Sequence, residues 1–227
     1  MKNRVLGIGN ALVDALVQVQ DEALLTEMNL PKGSMQLIDT EGYEAVCRRL
    51  SQMQVKRATG GSAANTVLAL AHLGAAPGII GRVSEDDNGH FFADNCKRVG
   101  IETFLLPSEL PTGVASTFIT PDGQRTFATY LGAAATLHVD HLLPEWLEGF
   151  SYLYIEGYLV QDHDLICRAV EMAHAAGLKV CLDLASYNIV EAQHEFFSYL
   201  LDHTDIVFAN EEEALAFTGK GPREALD

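Results

Sequence analysis

Two adjacent glycines, Gly60 and Gly61, separate an extended run from a run of strong helix formers, and this junction constrains the fold more than any other stretch. We expect a strand over 55–59, a glycine turn, and then a helix that ends at Gly74. Without a Cβ, backbone at the turn can lie close to a ligand. The turn and helix start would present N–H groups at the carboxyl edge of a sheet, where α/β proteins bind small polar ligands. A tight turn without a ligand is the alternative that this stretch leaves open.

Composition narrows the class of protein. The 227 residues are 48% hydrophobic, enough for one large domain with a sizeable core. A net charge of -16 argues against a nucleic-acid or anionic-membrane surface. No apolar run reaches the length of a membrane span, and the first residues do not resemble a signal peptide. The cysteines form no Cys-x-x-Cys motif, so we expect reduced thiols in a cytoplasmic protein.

The first strand is predicted over 4–9, and polar side chains follow it. Gly7-x-Gly9 suggests a dinucleotide fingerprint, but no third glycine follows, which argues against a NAD-binding enzyme. Asn10 and Asp14 are expected just beyond the strand end. Together they can hold a vicinal diol, because a carboxylate accepts two hydroxyl hydrogen bonds. The alternative is an Asx turn with a solvated aspartate.

Two stretches, 11–39 and 103–131, contain extended runs without the long helices found elsewhere. The runs 115–120 and 124–130 flank the turn 121–123, which predicts an antiparallel hairpin. Strand-rich segments inserted in an α/β chain predict a small β lid beside the ligand edge.

From residue 152 the chain alternates regularly between strands and helices, which predicts a parallel sheet with helices on both faces. We expect strands over 152–155, 179–184 and 205–209, and helices over 162–176 and 189–201. Asp183 interrupts a buried strand and is expected at the ligand edge, with a local structural hydrogen bond as the alternative. Asn210 opens the next helix.

Five ordered motifs resemble the ribokinase/adenosine-kinase family, the PfkB-type carbohydrate kinases. They are Gly60-Gly61-Ser62-Ala63-Ala64-Asn65 with Gly74, Gly81 and Gly89; Gly9-Asn10 with Asp14; Gln124-Arg125-Thr126; Tyr154-Ile155-Glu156-Gly157; and Asn210 with Glu213. The resemblance covers all 227 residues and is closer to the adenosine-kinase branch, because no lysine follows the two glycines. It implies a ribokinase-like three-layer sandwich with a mostly parallel central sheet, plus the small β lid.

The resemblance also implies an activity, the transfer of the γ-phosphoryl group of ATP to a hydroxyl of a sugar or nucleoside. It implies ATP and Mg²⁺ as cofactors, K⁺ as a further cation, and a homodimer formed through the lid. The residues that it implies for the sugar hydroxyls are Asn10, Asp14, Gly60, Gly61, Ser62 and Asn65, with Glu156 near the sugar.

The same resemblance assigns Asn210 and Glu213 to the organisation of magnesium and phosphate, with Glu213 acting through water. A helix cap followed by acidic first-turn residues would also explain this motif, and both roles can be true at once. Arg125 is the candidate cation for the transferring phosphate, and a solvated hairpin arginine is its alternative. Asp183 is expected to reach the phosphate water network.

One departure from the family pattern is important. The sequence contains no Gly-Ala-Gly-Asp, the motif that carries the family's catalytic base and, in its glycines and helix start, the phosphate anion hole. We therefore expect a C-terminally incomplete domain whose 227 residues have negligible kinase activity by themselves. A non-catalytic sugar- or nucleoside-binding module is the alternative function.

Overall fold

The computed structural model describes residues 4–226, in which strands and helices alternate along most of the chain. The strands are β1 Val5–Ile8, β2 Leu12–Gln18, β3 Met35–Leu37, β4 Lys56–Gly60, β5 Gly78–Ser84, β6 Glu102–Ser108, β7 Gly113–Ile119, β8 Arg125–Tyr130, β9 Tyr152–Ile155, β10 Lys179–Asp183 and β11 Ile206–Phe208. The helices are α1 Ala23–Glu27, α2 Thr40–Leu50, α3 Ser62–His72, α4 Asp87–Arg98, α5 His163–Ala175, α6 Tyr187–Ala192, α7 His194–Leu201 and α8 Glu211–Thr218. Short 3₁₀ helices occupy Gly132–Thr136, Val139–His141, Pro144–Leu147, Gly157–Gln161 and Glu224–Leu226.

Six strands form a parallel sheet in the order β11-β10-β9-β1-β5-β6. The register aligns Ile8 with Ile155, and Ile155 with Leu182. All six strands point the same way, so the loops that follow β1, β9, β10 and β11 meet at one edge. The mostly parallel central sheet predicted from sequence is confirmed.

The side chains of this sheet alternate between two apolar clusters, which makes three layers. On one face, Leu6 and Ile8 pack in a cluster that includes α5 and α7 residues. On the other face, α3 and α4 supply Val67 and Phe92. Gly7 lets α3 approach, because a Cβ there would lie 2.9 Å from Val67 Cγ1.

Five strands form a second, smaller sheet in the order β3-β8-β7-β2-β4. The β7–β8 hairpin is antiparallel, as predicted, and β2 pairs parallel with β7 and antiparallel with β4. One face packs on α1 and α2 through Val17, Phe118 and Val46. The opposite face, which carries Asp14, has no such helix layer among residues 4–226.

Several predicted positions need correction. The strand expected in the lid at 103–106 is β6, which pairs with β5 at the edge of the large sheet. The strand before the glycines belongs to the small sheet, and Asp14 lies inside β2. The helix expected over 189–201 is two helices, because Gln193, at φ -123 and ψ 27, leaves helical geometry. None of the helices within residues 4–226 combines the length and hydropathy needed to cross a bilayer.

Candidate functional site

The two glycines lie against the residues that follow the first strand. Antiparallel pairing of β2 with β4 places Leu12 opposite Gly60. A Cβ on Gly60 would lie 2.3 Å from Asp14 Oδ1, and one on Gly61 would lie 2.0 Å from the backbone oxygen of Asn10. Gly61 also has φ of +95°, a conformation that favours glycine. The chain therefore brings these four residues together only because both turn positions lack side chains.

Glu156 lies directly behind Asn10 at the carboxyl end of β9. Its Oε1 accepts a hydrogen bond from Asn10 Nδ2 at 2.6 Å, and its Oε2 accepts one from the Ala63 backbone N–H at 2.9 Å. It is 1% exposed, and burial raises its pKa, although the hydrogen bonds from Ala63 and Asn10 oppose that shift. Both carboxylate oxygens are thus engaged by neighbouring protein groups, while the place of Glu156 near the sugar stays a prediction.

Ser62 and Asp183 join the start of α3 to the end of β10. Ser62 Oγ donates to Asp183 Oδ2 at 2.8 Å, and the Ala185 N–H donates to Asp183 Oδ1 at 3.3 Å. Ala185 has φ of +66°, which is unusual for a residue with a Cβ and marks a tightly determined turn. Asp183 therefore lies at the carboxyl end of β10 and makes local structural hydrogen bonds there, while its role toward a ligand stays a prediction.

Asn65 lies in the first turns of α3 and is exposed. Its backbone N–H donates to the Gly61 oxygen at 2.9 Å. Residues three apart on a helix are neighbours on its surface, so Asn65 lies beside Ser62. Its amide is available to a ligand at the glycine turn.

Asp14 is half-buried and lies on the sheet face opposite α1 and α2. Burial raises the pKa of the Asp14 carboxyl, while the charge of Arg125 lowers it. Arg125 is exposed at the start of β8, two strands from Asp14. The charge of Arg125 therefore acts on Asp14, whose carboxylate packs against Gly60.

The face of the small sheet that carries Asp14 also carries apolar side chains. Residues paired across strands share a face, and the pairing places Asp14, Ala115, Thr129 and Leu37 in one row. The next row contains Leu16, Thr117, Phe127 and Met35. Leu37 is 63% exposed and Met35 48%. A cavity of about 270 Å³ is lined by Leu37, Thr129, Leu131 and Gly132 among others. This face therefore joins one carboxylate to an apolar strip that is exposed at Leu37 and Met35 and buried at Ala115, Thr117 and Thr129.

Asn210 and Glu213 form a reciprocal helix cap at the start of α8. Asn210 Oδ1 accepts from the Glu213 N–H at 2.9 Å, while Glu213 accepts from the Asn210 N–H at 2.9 Å and from its Nδ2 at 2.7 Å. Glu213 is only 4% exposed. The helix-cap interpretation of this motif is thus confirmed.

Tyr154, which the sequence analysis named only as part of a motif, and Tyr158, which it missed, lie two positions before and after Glu156. Burial raises the pKa of Tyr158, a hydrogen bond with the Ser186 side chain lowers it, and the charges of Glu156, Asp183 and Glu213 raise it further. Burial also raises the pKa of Tyr154, while hydrogen bonds with the Thr66 and Ser62 side chains oppose that shift. The tyrosines that flank Glu156 two positions away on each side were the available signal.

The described residues do not assemble a direct metal site. Within residues 4–226 no three His, Cys, Asp or Glu side chains group as ligands, and the Glu213 carboxylate is engaged by Asn210.

Comparison with known proteins finds a matching family model and several relatives. Residues 32–226 match the model of the pfkB family of carbohydrate kinases. Guanosine-inosine kinase of Escherichia coli (strain K12) is 26% identical over 241 residues, covering 95% of this chain and 53% of that protein. Adenosine kinase of Schizophyllum commune is 28% identical over 221 residues, covering 92% and 63%. The chain thus spans about half to two thirds of the length of these relatives.

Two solved structures are similar to this chain over its full length. Adenosine kinase from Sinorhizobium meliloti is 33% identical, with a TM-score of 0.85 over 100% of this chain and 71% of that one. A probable sugar kinase from Rhizobium etli CFN 42 is 31% identical, with a TM-score of 0.86 over 100% and 70%. The predicted three-layer α/β architecture is confirmed by these likenesses.

Proposed function

Because this chain belongs to the pfkB family of carbohydrate kinases, we propose that it supplies the substrate half of an ATP-dependent nucleoside kinase. In this proposal the γ-phosphoryl group of ATP passes to a hydroxyl of the bound nucleoside. The observation that carries it is the Asp14 carboxylate packed on Gly60. This carboxylate shares its sheet face with the apolar strip, in which Leu37 and Met35 are exposed.

The sugar would bind at the glycine turn. The Asp14 carboxylate accepts two hydroxyl hydrogen bonds, and Asn65 offers both a donor and an acceptor. Asn10 contributes its side-chain oxygen, because its NH₂ group is directed at Glu156. The backbone of Gly60 and Gly61 leaves space for the sugar ring, since neither residue has a Cβ.

The base would lie on the apolar strip. Strands are spaced by roughly 4.8 Å, so Thr129 lies roughly 10 Å from Asp14 across the row and Leu37 lies one strand further. The roughly 10 Å between Asp14 and Thr129 is comparable to the length of a purine nucleoside. A bare sugar at the glycine turn would not contact the strip. The relatives described as guanosine-inosine kinase and adenosine kinase carry the names of purine nucleosides, which favours the same substrate class here.

The small sheet would act as a lid over this site, as the sequence predicts for 11–39 and for the hairpin after β6. Closure would exclude water and bring Arg125 to the transferring phosphate, where a cation stabilises developing charge. The lid is also the surface that we propose for a homodimer.

We propose that these 227 residues bind the nucleoside without turning it over. Phosphoryl transfer depends on positioning and charge stabilisation, and the sequence lacks the Gly-Ala-Gly-Asp base and anion hole. Mg²⁺ would neutralise phosphate charge when bound with ATP. The role of Glu213 through water, that of Asp183 in the phosphate network, and K⁺ stay predictions.

Two measurements on the 227-residue chain test the proposal. Titration calorimetry with adenosine, guanosine, inosine, ribose and fructose is expected to show a purine nucleoside binding more tightly than ribose. A coupled ADP-release assay is expected to show negligible turnover with each of them. Preferential binding of ribose or fructose would contradict the nucleoside assignment, and normal turnover would contradict the requirement for the missing motif.

The second candidate is a non-catalytic nucleoside-binding module. The enclosed network around Glu156 favours it equally, because binding needs no catalytic base. The gene sequence beyond codon 227 separates the two functions. An in-frame Gly-Ala-Gly-Asp supports the kinase, and a stop codon supports the binding module.

A further inference from the structure

Glu156 is a buried carboxylate whose described hydrogen-bond partners are neutral, and the proposed reaction has no direct use for it. It is 1% exposed, and its neighbours are the Asn10 amide, the Ala63 N–H at the start of α3, and the carboxylate of Asp183. A Cβ on Gly9 would lie 2.4 Å from Glu156 Oε2, so the backbone of the first strand closes over it. Burying a carboxylate costs free energy unless the carboxylate is paired and hydrogen-bonded.

Each carboxylate oxygen accepts from a different element. Oε2 bonds the Ala63 N–H, which is held by helix α3 and cannot reorient. Oε1 bonds Asn10 Nδ2 at 2.6 Å. While Glu156 is ionised its carboxylate has acceptors alone, and it then forces the Asn10 amide to direct its NH₂ inward and its oxygen outward. Asn10 is 7% exposed, and its Oδ1 faces away from Glu156 because its Nδ2 is directed at that carboxylate.

The geometry points to Glu156 as a positioning residue that sets the polarity of Asn10, so that Asn10 accepts a hydrogen bond from a substrate hydroxyl and does not donate one. This inference rests on the proposed nucleoside-binding function for its ligand. In this inference, the orientation that Glu156 imposes on the Asn10 amide determines which sugar hydroxyl the chain prefers.

Exchanging the two functional groups gives a direct test. In E156Q the new side-chain oxygen must face the Ala63 N–H, so the new NH₂ faces Asn10 and turns the Asn10 amide around. In N10D two carboxyl groups face each other across 2.6 Å. In the double variant N10D/E156Q, the carboxylate introduced at position 10 accepts from the amide introduced at position 156 and presents its other oxygen outward. That variant restores the original polarity and the original charge of the pair.

The first measurement is thermal unfolding of the ligand-free chain. Each single substitution is expected to lower the unfolding midpoint, and the double variant to recover most of the loss. The N10D midpoint is expected to rise as the pH falls, because one of the facing carboxyl groups then takes up a proton. E102Q, at an exposed ion pair with Arg4, serves as the control for removing a carboxylate elsewhere. Additive losses in the double variant overturn the inference. If E156Q does not fold, recovery of the folded circular dichroism signal in the double variant decides the same point.

The second measurement is calorimetry with adenosine, 2′-deoxyadenosine and 3′-deoxyadenosine. The wild-type chain is expected to prefer adenosine over one deoxy analogue by about tenfold, the value of one hydrogen bond. That ratio is expected to fall to about one in E156Q, where the hydrogen bond is lost, and to return in the double variant. A general loss of stability would not change the ratio, so an unchanged ratio in E156Q overturns the inference. If the wild-type chain binds no nucleoside, the proposed function fails, and the thermal comparison alone judges the pairing.

Discussion

The large and small sheets differ in how their faces are covered. The large sheet has apolar clusters on both faces, and the polar residues at its carboxyl edge are held by hydrogen bonds from neighbouring elements. The small sheet is covered by α1 and α2 on one face, while Leu37 and Met35 on the other are exposed. The difference teaches that Asn10 and Ser62 are held by enclosed, mutually constrained groups at the edge of the large sheet, whereas Asp14 and the proposed base surface lie on the open face of the small sheet. Substitutions in the first region should affect folding, and those in the second should affect affinity alone.

Gly61→Ala is expected to have the largest effect. The new Cβ would lie 2.0 Å from a backbone oxygen, at φ of +95°, so the chain loses roughly 3 kcal/mol or more of unfolding free energy. Urea denaturation measures this loss. Gly74→Ala is the matched control, because φ there is +85° but nothing lies within 4 Å, and about 1 kcal/mol is expected. Equal losses at both positions would show that the glycine turn is not enclosed.

Asp14→Asn is expected to separate binding from stability. Adenosine affinity should fall about 100-fold, because charged hydrogen bonds contribute about 1.5–3 kcal/mol each. Stability at pH 7 should stay equal or rise. Burial raises the pKa of Asp14 above its unfolded value, so ionisation costs stability as pH rises through that range, and asparagine removes this cost. Calorimetry and urea denaturation at pH 7 and pH 4 measure both, with the exposed Asp94→Asn as control. A less stable variant at pH 7 would contradict this account.

Leu37→Ser tests the exposed part of the apolar strip on which the base is proposed to lie. We expect adenosine affinity to fall about fivefold, corresponding to about 1 kcal/mol of lost apolar contact, with ribose affinity and the unfolding midpoint unchanged. Calorimetry with both ligands makes the comparison. Leu73→Ser, at an 84% exposed residue that ends α3, is the control and should change neither affinity. Equal losses for adenosine and ribose would place the base elsewhere.

Arg125→Ala is expected to have the smallest effect. The Arg125 charge lowers the pKa of Asp14 against the dominant effect of burial, so its removal raises that pKa further. Adenosine affinity should change less than about twofold at pH 8, while its decline on acidification should begin at a higher pH. Calorimetry between pH 4 and pH 8 follows this shift, with the exposed Arg48→Ala as control. If the pH dependence of adenosine affinity does not change, Arg125 does not act on Asp14.

Much of the site followed from local signals. The glycine turn and the position of Asp183 at the end of a buried strand were predicted from the residues that interrupt each run, whereas Asp14 was expected beyond the first strand and lies inside β2 of the small sheet. The reciprocal cap of Asn210 and Glu213 was also readable, since capping depends on residues three apart.

The sequence by itself determined most of the strands, the glycine turn and the polar groups at the ligand edge, because these depend on side chains a few positions apart. Only the tertiary structure decided that Glu156 lies behind Asn10, 146 positions earlier in the chain, and that Leu37 shares a row with Asp14. Strand order and register set these neighbours, and the alternation within a single strand shows which residues share a face but not which strand lies beside it.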